Sequence, residues 1–139
     1  RMSKLIFRYR FDASDDFGWL EVEISTEKFS GRGGFWVQWQ DVREFGESLS
    51  RYPISADTPI KGEWGYDTLK DDDVVLSIEI SPDNPRGDLR VKAEIADHYE
   101  PAKRVRTSFV TNYPDIENFR VAIAKLMERQ SDEAVLLGR

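Results

Sequence analysis

The sequence contains no cysteine and only one histidine, and these two shortages remove several kinds of site. Without thiols the chain forms no disulfide, binds no iron–sulfur cluster and offers no thiolate nucleophile. The single histidine, His98, cannot build a histidine-rich metal site, and no Gly-x-Ser-x-Gly motif accompanies it. We therefore expect no catalytic residue, no metal and no cofactor, and we predict that the protein is not an enzyme.

Long apolar runs and an excess of positive charge are also missing. No stretch of about 18 apolar residues occurs, so we expect no membrane span. Arg8 and Arg10 interrupt the first apolar stretch, which is unlike a secretory leader. The 20 basic and 26 acidic residues give a net charge of −6, which disfavours binding to nucleic-acid phosphates. The expectation is a cytoplasmic protein without nucleic acid or membrane as partner, and its oligomeric state stays open.

What is present is the composition of a folded domain. The 139 residues are 40% apolar and 33% charged, a mixture typical of a globular chain that can bury its own core. We predict one domain over residues 1–139, in which the tail at residues 131–139 frays.

Apolar residues alternate with polar ones along the first part of the chain. Residues 4–12 predict one strand, residues 19–24 a second and residues 35–40 a third, all joined by short polar links. The glycine-rich residues 31–34 predict the turn before the third strand. Asp41 and Glu44 have the spacing of a capping box, which predicts a short helix from Asp41 to Tyr52.

A second run of alternating residues follows an irregular segment. Residues 60–66 predict a short strand, and residues 74–80, 89–95 and 104–111 predict three longer ones. Pro114 suits the first position of a last helix, whose apolar stripe runs from Ile116 to Leu126. The whole pattern predicts an α+β fold with two antiparallel β-meanders, about seven strands in total. Each meander precedes a helix, and the C-terminal helix packs on the sheet.

Two tryptophans and several polar residues share the outward side of the first meander. A surface that mixes tryptophan with arginine and glutamine resembles protein-binding surfaces in composition. The candidate binding residues are Trp19, Trp36, Arg8, Arg10, Gln38 and Gln40. The alternative is that the second meander, or the segment with Trp64 and Tyr66, covers this face.

Two charged groups have both a chemical and a structural interpretation. Glu21 and Glu23 are spaced like a glycosidase pair, but the arginines of the neighbouring strand are their natural partners across the sheet. Basic residues cluster at 103–106 beside Arg90 and Lys92, where an anion site competes with a salt-bridged sheet face. We favour the structural interpretation in both cases.

Two stretches resemble a known group of proteins. Residues 34–42, Gly-Phe-Trp-Val-Gln-Trp-Gln-Asp-Val, lead into Phe45 and Leu49, and Ser108-Phe109 leads through Tyr113-Pro114 to Phe119. In layout, the chain is similar to the small bacterial immunity proteins related to those paired with wall-associated polymorphic toxins, and to related bacterial domains of unknown function. The resemblance implies a cytoplasmic protein that binds and blocks a toxin domain, and the acidic charge would suit a basic toxin.

Three functional hypotheses follow from these observations. The first is a non-enzymatic protein-binding module, with an immunity-type inhibitor as its concrete form. The second is a small-ligand or enzymatic domain with a pocket between sheet and helix, near His98, Arg104 or Glu21. The third is an oligomeric structural module that pairs through exposed sheet edges.

Overall fold

The structure, a computed structural model, describes residues 3–139. These residues form eight strands and two α-helices joined by connecting segments. A single 3-10 turn at Asp71–Asp73 precedes the fifth strand. In chain order the elements are β1 (Ser3–Arg10), β2 (Phe17–Ser25), β3 (Ser30–Gln38), α1 (Trp39–Ser48), β4 (Ile60–Gly65), β5 (Val74–Pro82), β6 (Asp88–Ala96), β7 (Arg104–Asn112), α2 (Tyr113–Met127) and β8 (Ala134–Gly138).

The strands form two four-stranded antiparallel sheets, ordered β3-β2-β1-β8 and β4-β5-β6-β7. Strands β1–β3 precede α1, and strands β4–β7 precede α2. The predicted α+β fold of two antiparallel meanders, each followed by a helix, is therefore confirmed. The short strand predicted in the irregular segment is also present, as β4.

One apolar core joins the inner faces of both sheets to the apolar sides of both helices. Phe7 of β1 lies near its centre, with ring centroids 5.6 Å from Phe45 of α1 and 5.3 Å from Phe119 of α2. Helix α2 starts where the Asn112 side chain accepts a hydrogen bond of 2.8 Å from the Asp115 N–H. Its buried residues Ile116, Phe119, Ile123 and Leu126 are the stripe seen in the sequence, and they place this helix on the sheet as predicted.

The prediction that residues 131–139 fray is wrong. Residues Ala134–Gly138 form β8, which pairs antiparallel with β1 and places Leu136 opposite Leu5. Ala134 and Leu136 are fully buried in the core. Burial of these side chains and the hydrogen bonds to β1 compensate for the entropy of ordering the tail.

Helix α1 also differs from its predicted bounds. It starts at Trp39 instead of Asp41 and ends at Ser48 before the predicted end at Tyr52. The Trp39 N–H donates a 3.1 Å hydrogen bond to the carbonyl of Asp16, and Asp41 already lies in the first helical turn. Because Gln38 is the N-cap residue, Asp41 and Glu44 do not form the predicted capping box.

The predicted turn at residues 31–34 lies inside β3. A Cβ on Gly33 would stand 2.7 Å from the carbonyl oxygen of Ala96, at the end of β6. A Cβ on Gly34 would stand 2.5 Å from Nε1 of Trp19. These glycines therefore allow β3 to approach the second sheet on one side and the Trp19 ring on the other.

Candidate protein-binding surface

The outer face of β2 and β3 carries three aromatic side chains, Phe17, Trp19 and Trp36, which we call the aromatic face. Trp19 and Trp36 are direct cross-strand partners, and their rings meet edge to face with centroids 4.9 Å apart. Trp36 keeps 52% of its surface exposed and Phe17 keeps 47%. The sequence placed the two tryptophans on one face, and the structure shows that they touch.

Trp19 forms the support of this face. Its ring lies over Gly34 on one side and meets the His98 ring on another, with centroids 4.8 Å apart. His98 belongs to the loop between β6 and β7 and also packs on Tyr99. His98 is thus a packing partner of Trp19, which in turn contacts Trp36.

Arg8 belongs to an ion-pair cluster on the same outer face. Its Nη1 lies 2.9 Å from Glu21 and 3.0 Å from Glu23, and its Nε lies 3.1 Å from Glu133. The hydrogen bond to Glu23, with those to its other partners, raises the pKa of the Arg8 guanidinium against the lowering effect of burial. The predicted cross-sheet pairing is confirmed for Arg8, whose guanidinium is shared among three carboxylates.

The other three predicted binding residues lie in three different elements. Arg10 is exposed and lies opposite Trp19 in the register of β1 and β2. Gln38 ends β3, opposite Phe17. Gln40 lies in α1, where its Nε2 donates a 2.9 Å hydrogen bond to Asp16. The placement of Gln40 on the strand face is therefore wrong, because the chain turns into the helix before reaching it.

Tyr9 fixes the end of β3 from the opposite side of the sheet. Its hydroxyl donates a 2.7 Å hydrogen bond to the Val37 carbonyl and accepts one of 2.9 Å from the Gly18 N–H. Burial raises the pKa of this phenol, so it keeps its proton and remains a donor at neutral pH. The contact holds Gln38 and the start of α1 in place beside the aromatic face.

A groove of about 620 Å³ adjoins the aromatic face, and we call it the edge groove. Its walls are residues 35–38 of β3, residues 61–65 of β4 and the exposed side of α1. Phe17 and Trp36 line it as well, so the groove and the aromatic face are continuous. Trp64 closes its floor against Phe45, with ring centroids 6.1 Å apart.

Sequence reasoning missed most of this groove. Phe17 shares the period-two face of Trp19 and could have been included on that ground. Trp64 was predicted in a short strand and as an alternative cover for the aromatic face; it does lie in a strand, but at a sheet edge that borders the groove. Asp41 and Glu44, interpreted as a capping pair, also line the groove. No sequence pattern shows that β3, β4 and α1 meet.

The basic cluster of the second sheet forms ion pairs. Arg104 contacts Glu94 at 2.6 Å and Asp72 at 3.5 Å, and Lys103 contacts Glu100 at 3.2 Å. Further along the sheet, Arg90 pairs with Asp83 and Lys92 with Glu79. This is the salt-bridged sheet face that the sequence favoured over an anion site.

Comparison with known proteins gives no match, either among protein-family models or among curated proteins. Within residues 3–139, no helix has the length and apolar character needed to cross a membrane. The same residues contain no group of three or more histidine, cysteine, aspartate or glutamate side chains placed to hold a metal ion.

Proposed function

We propose that the chain is a non-enzymatic protein-binding module that binds through the aromatic face and the adjoining edge groove. The observation that carries the proposal is Trp36, which is half exposed, supported by Trp19 and continuous with a groove. An exposed tryptophan in fixed surroundings offers large contact area at a low cost in conformational entropy.

An immunity-type inhibitor of a toxin domain is the concrete form of this function. The layout resemblance supports it, and so does the chemistry of the surface. A net charge of −6, with Asp41, Glu44 and Glu63 in the groove, favours a basic partner through electrostatic steering. Such an inhibitor would act in the cytoplasm, where it would meet the toxin before release.

A pocket enzyme receives less support from the geometry. His98, Arg104 and Glu21, the residues such a pocket would use, do not line the edge groove. Arg104 and Glu21 are each held in ion pairs, and His98 packs on Trp19. The groove therefore combines aromatic walls with acidic side chains but does not gather these three groups.

The test is binding to candidate toxin domains encoded beside this chain in its genome. Each domain is co-expressed with the protein, and the affinity of a recovered complex is measured by calorimetry. We expect Trp36→Ala to weaken binding at least about thirtyfold, the scale of an interface hot spot. Trp19→Ala should also weaken it, because Trp36 loses its support.

Phe29→Ala is the matched control for the same measurement. Phe29 is 63% exposed and lies in the turn between β2 and β3, outside the aromatic face. This variant should bind within about twofold of the parent protein. If Trp36→Ala folds normally and binds as tightly as Phe29→Ala, the aromatic face is not the binding surface.

A further inference from the structure

The edge groove exposes the backbone of two strands. A strand seen from one face presents alternate residues, whereas the groove is lined by the consecutive residues 35–38 of β3 and 61–65 of β4. Both strands are the last in their sheets. The groove therefore meets these strands along their edges.

Strand β4 is the more suitable template of the two. It pairs with β5 on one side, and on its other side no backbone group of residues 3–139 pairs with it. It contains no proline, so its outward N–H and C=O groups can accept a further strand. Strand β3, by contrast, carries the start of α1 directly at its end.

The charges of the groove select a basic occupant. Three carboxylates, those of Asp41, Glu44 and Glu63, line it against one ammonium group, that of Lys61. Lys61 lies 3.4 Å from Glu63 and compensates part of that charge. Within residues 3–139, neither Asp41 nor Glu44 forms an ion pair.

We propose that an extended basic segment of the partner protein adds to the second sheet as a fifth strand along β4. Its lysine or arginine side chains on the α1 side would meet Asp41 and Glu44, and a basic side chain on the opposite side would meet Glu63. The inference rests on the proposed binding function and names the partner's contact segment. Recognition of this kind draws affinity from main-chain hydrogen bonds and specificity from alternate side chains.

Two features of β4 disfavour pairing with a second copy of this chain. Lys61 is exposed on the strand, and the register with β5 shifts between Trp64 and Gly65. A lysine and a bulge on an edge are common protections against indiscriminate strand pairing. Pairing of two copies would also bring two acidic grooves together, and repulsion between their like charges opposes this contact.

The probe is a synthetic, end-blocked peptide of four Lys-Val repeats, with four Glu-Val repeats as its control. We expect the lysine peptide to bind at least about tenfold more tightly, because the groove carries excess negative charge. The double variant Asp41→Asn with Glu44→Gln should remove most of that difference. Glu47→Gln, on the same helix but outside the groove, should leave it unchanged.

Backbone methylation distinguishes strand addition from simple charge attraction. Alternate residues of an added strand direct their N–H groups toward the template, and the others direct them away. One peptide is therefore N-methylated on its lysines and another on its valines. Strand addition predicts that one of them loses at least about tenfold in affinity, while the other stays within about threefold of the parent peptide.

Amide hydrogen exchange locates the peptide on the protein. Bound lysine peptide should slow the exchange of outward amides in residues 60–64, and the amides of β8 should not change. If both methylated peptides bind like the parent peptide, or if residues 60–64 gain no protection, strand addition along β4 is wrong.

The same exchange measurement on a complex with a whole toxin domain separates the two proposals. A complex that depends on Trp36 but leaves residues 60–64 unprotected would overturn the strand addition and retain the binding function. If the peptide binds along β4 but Trp36→Ala leaves the affinity for the toxin domain unchanged, the aromatic face is not the binding surface and the strand site is retained.

Discussion

The two sheets meet differently at their two ends. At one end, which we call the closed end, the edge strands β7 and β8 are adjacent. Reciprocal hydrogen bonds of 3.0 and 2.9 Å join the backbones of Val110 and Arg139 there. The Thr111 hydroxyl adds a 2.8 Å hydrogen bond to the Leu137 carbonyl. At the other end, which we call the open end, the edge strands β3 and β4 border the edge groove and share no backbone hydrogen bond within residues 3–139.

This difference shows how one chain treats its sheet edges in two ways. Unpaired edges invite association, and proteins cover them, protect them or use them. The chain covers β7 and β8 with each other by means of its own last strand. At the open end it retains acidic and aromatic side chains instead, which suits a site that a partner completes.

The largest expected effect comes from removing a buried side chain from the core at the closed end. Leu136 is fully buried, so Leu136→Ala should lower the free energy of unfolding by about 2–5 kcal/mol. Leu137→Ala, one residue further along the strand and 39% exposed, should cost less than about 1 kcal/mol. Urea denaturation measures both values. Equal losses for the two variants would show that β8 is not held in the core as described.

A smaller effect is expected from the side-chain hydrogen bond at the closed end. Thr111→Val removes the bond to Leu137 and should lower the free energy of unfolding by about 1–2 kcal/mol. Thr107→Val is the control on the same face of β7, and it should change the free energy by less than about 0.5 kcal/mol. The affinity for the lysine peptide should be unchanged in both, since the two ends are separate; a weakened Thr111→Val complex would contradict that separation.

The smallest effect concerns pH at the closed end. Hydrogen bonds from Asn84 and then from Arg139 hold the pKa of Asp88 below its ordinary value of 3.8. A lowered pKa in the folded state stabilises the fold above pH 3.8, and this contribution disappears as the pH falls through the folded value. Followed by NMR titration, Asn84→Ala and Arg139→Gln should each raise the Asp88 pKa. An unchanged Asp88 pKa in either variant would show that the replaced side chain does not act on this carboxylate.

Regular alternation in the sequence predicted most of the fold. Strands β1, β2 and β5–β7 keep apolar residues on one face over eight or nine positions, and α2 keeps its stripe at helical spacing. Strand β8 was not predicted, because Val135, Leu136 and Leu137 form a continuous apolar run without alternation. Its place beside β1 depends on a pairing between opposite ends of the chain, which local patterns do not record.

The candidate site was predicted in part for the same reason. Trp19 and Trp36 share a face because strand periodicity requires it, and the predicted pairing of Arg8 with the glutamates follows from the same rule. The glycines of β3 suggested a turn, although they serve contacts with Ala96 and Trp19 that only the tertiary structure reveals. Gln40 was misplaced because the strand pattern was extended into the first turn of a helix.

The pairing of β8 with β1 sets the order in which the molecule can be completed. Ser3 lies opposite Gly138, so the first sheet obtains its fourth strand only after residues 134–138 have been synthesised. Until then β1 has an unpaired edge, and the core lacks Leu136. Contacts so distant in sequence slow folding, and the growing chain has to avoid wrong strand partners in the meantime. Folding of residues 3–139 is therefore completed when β8 closes the sheet that β1 began.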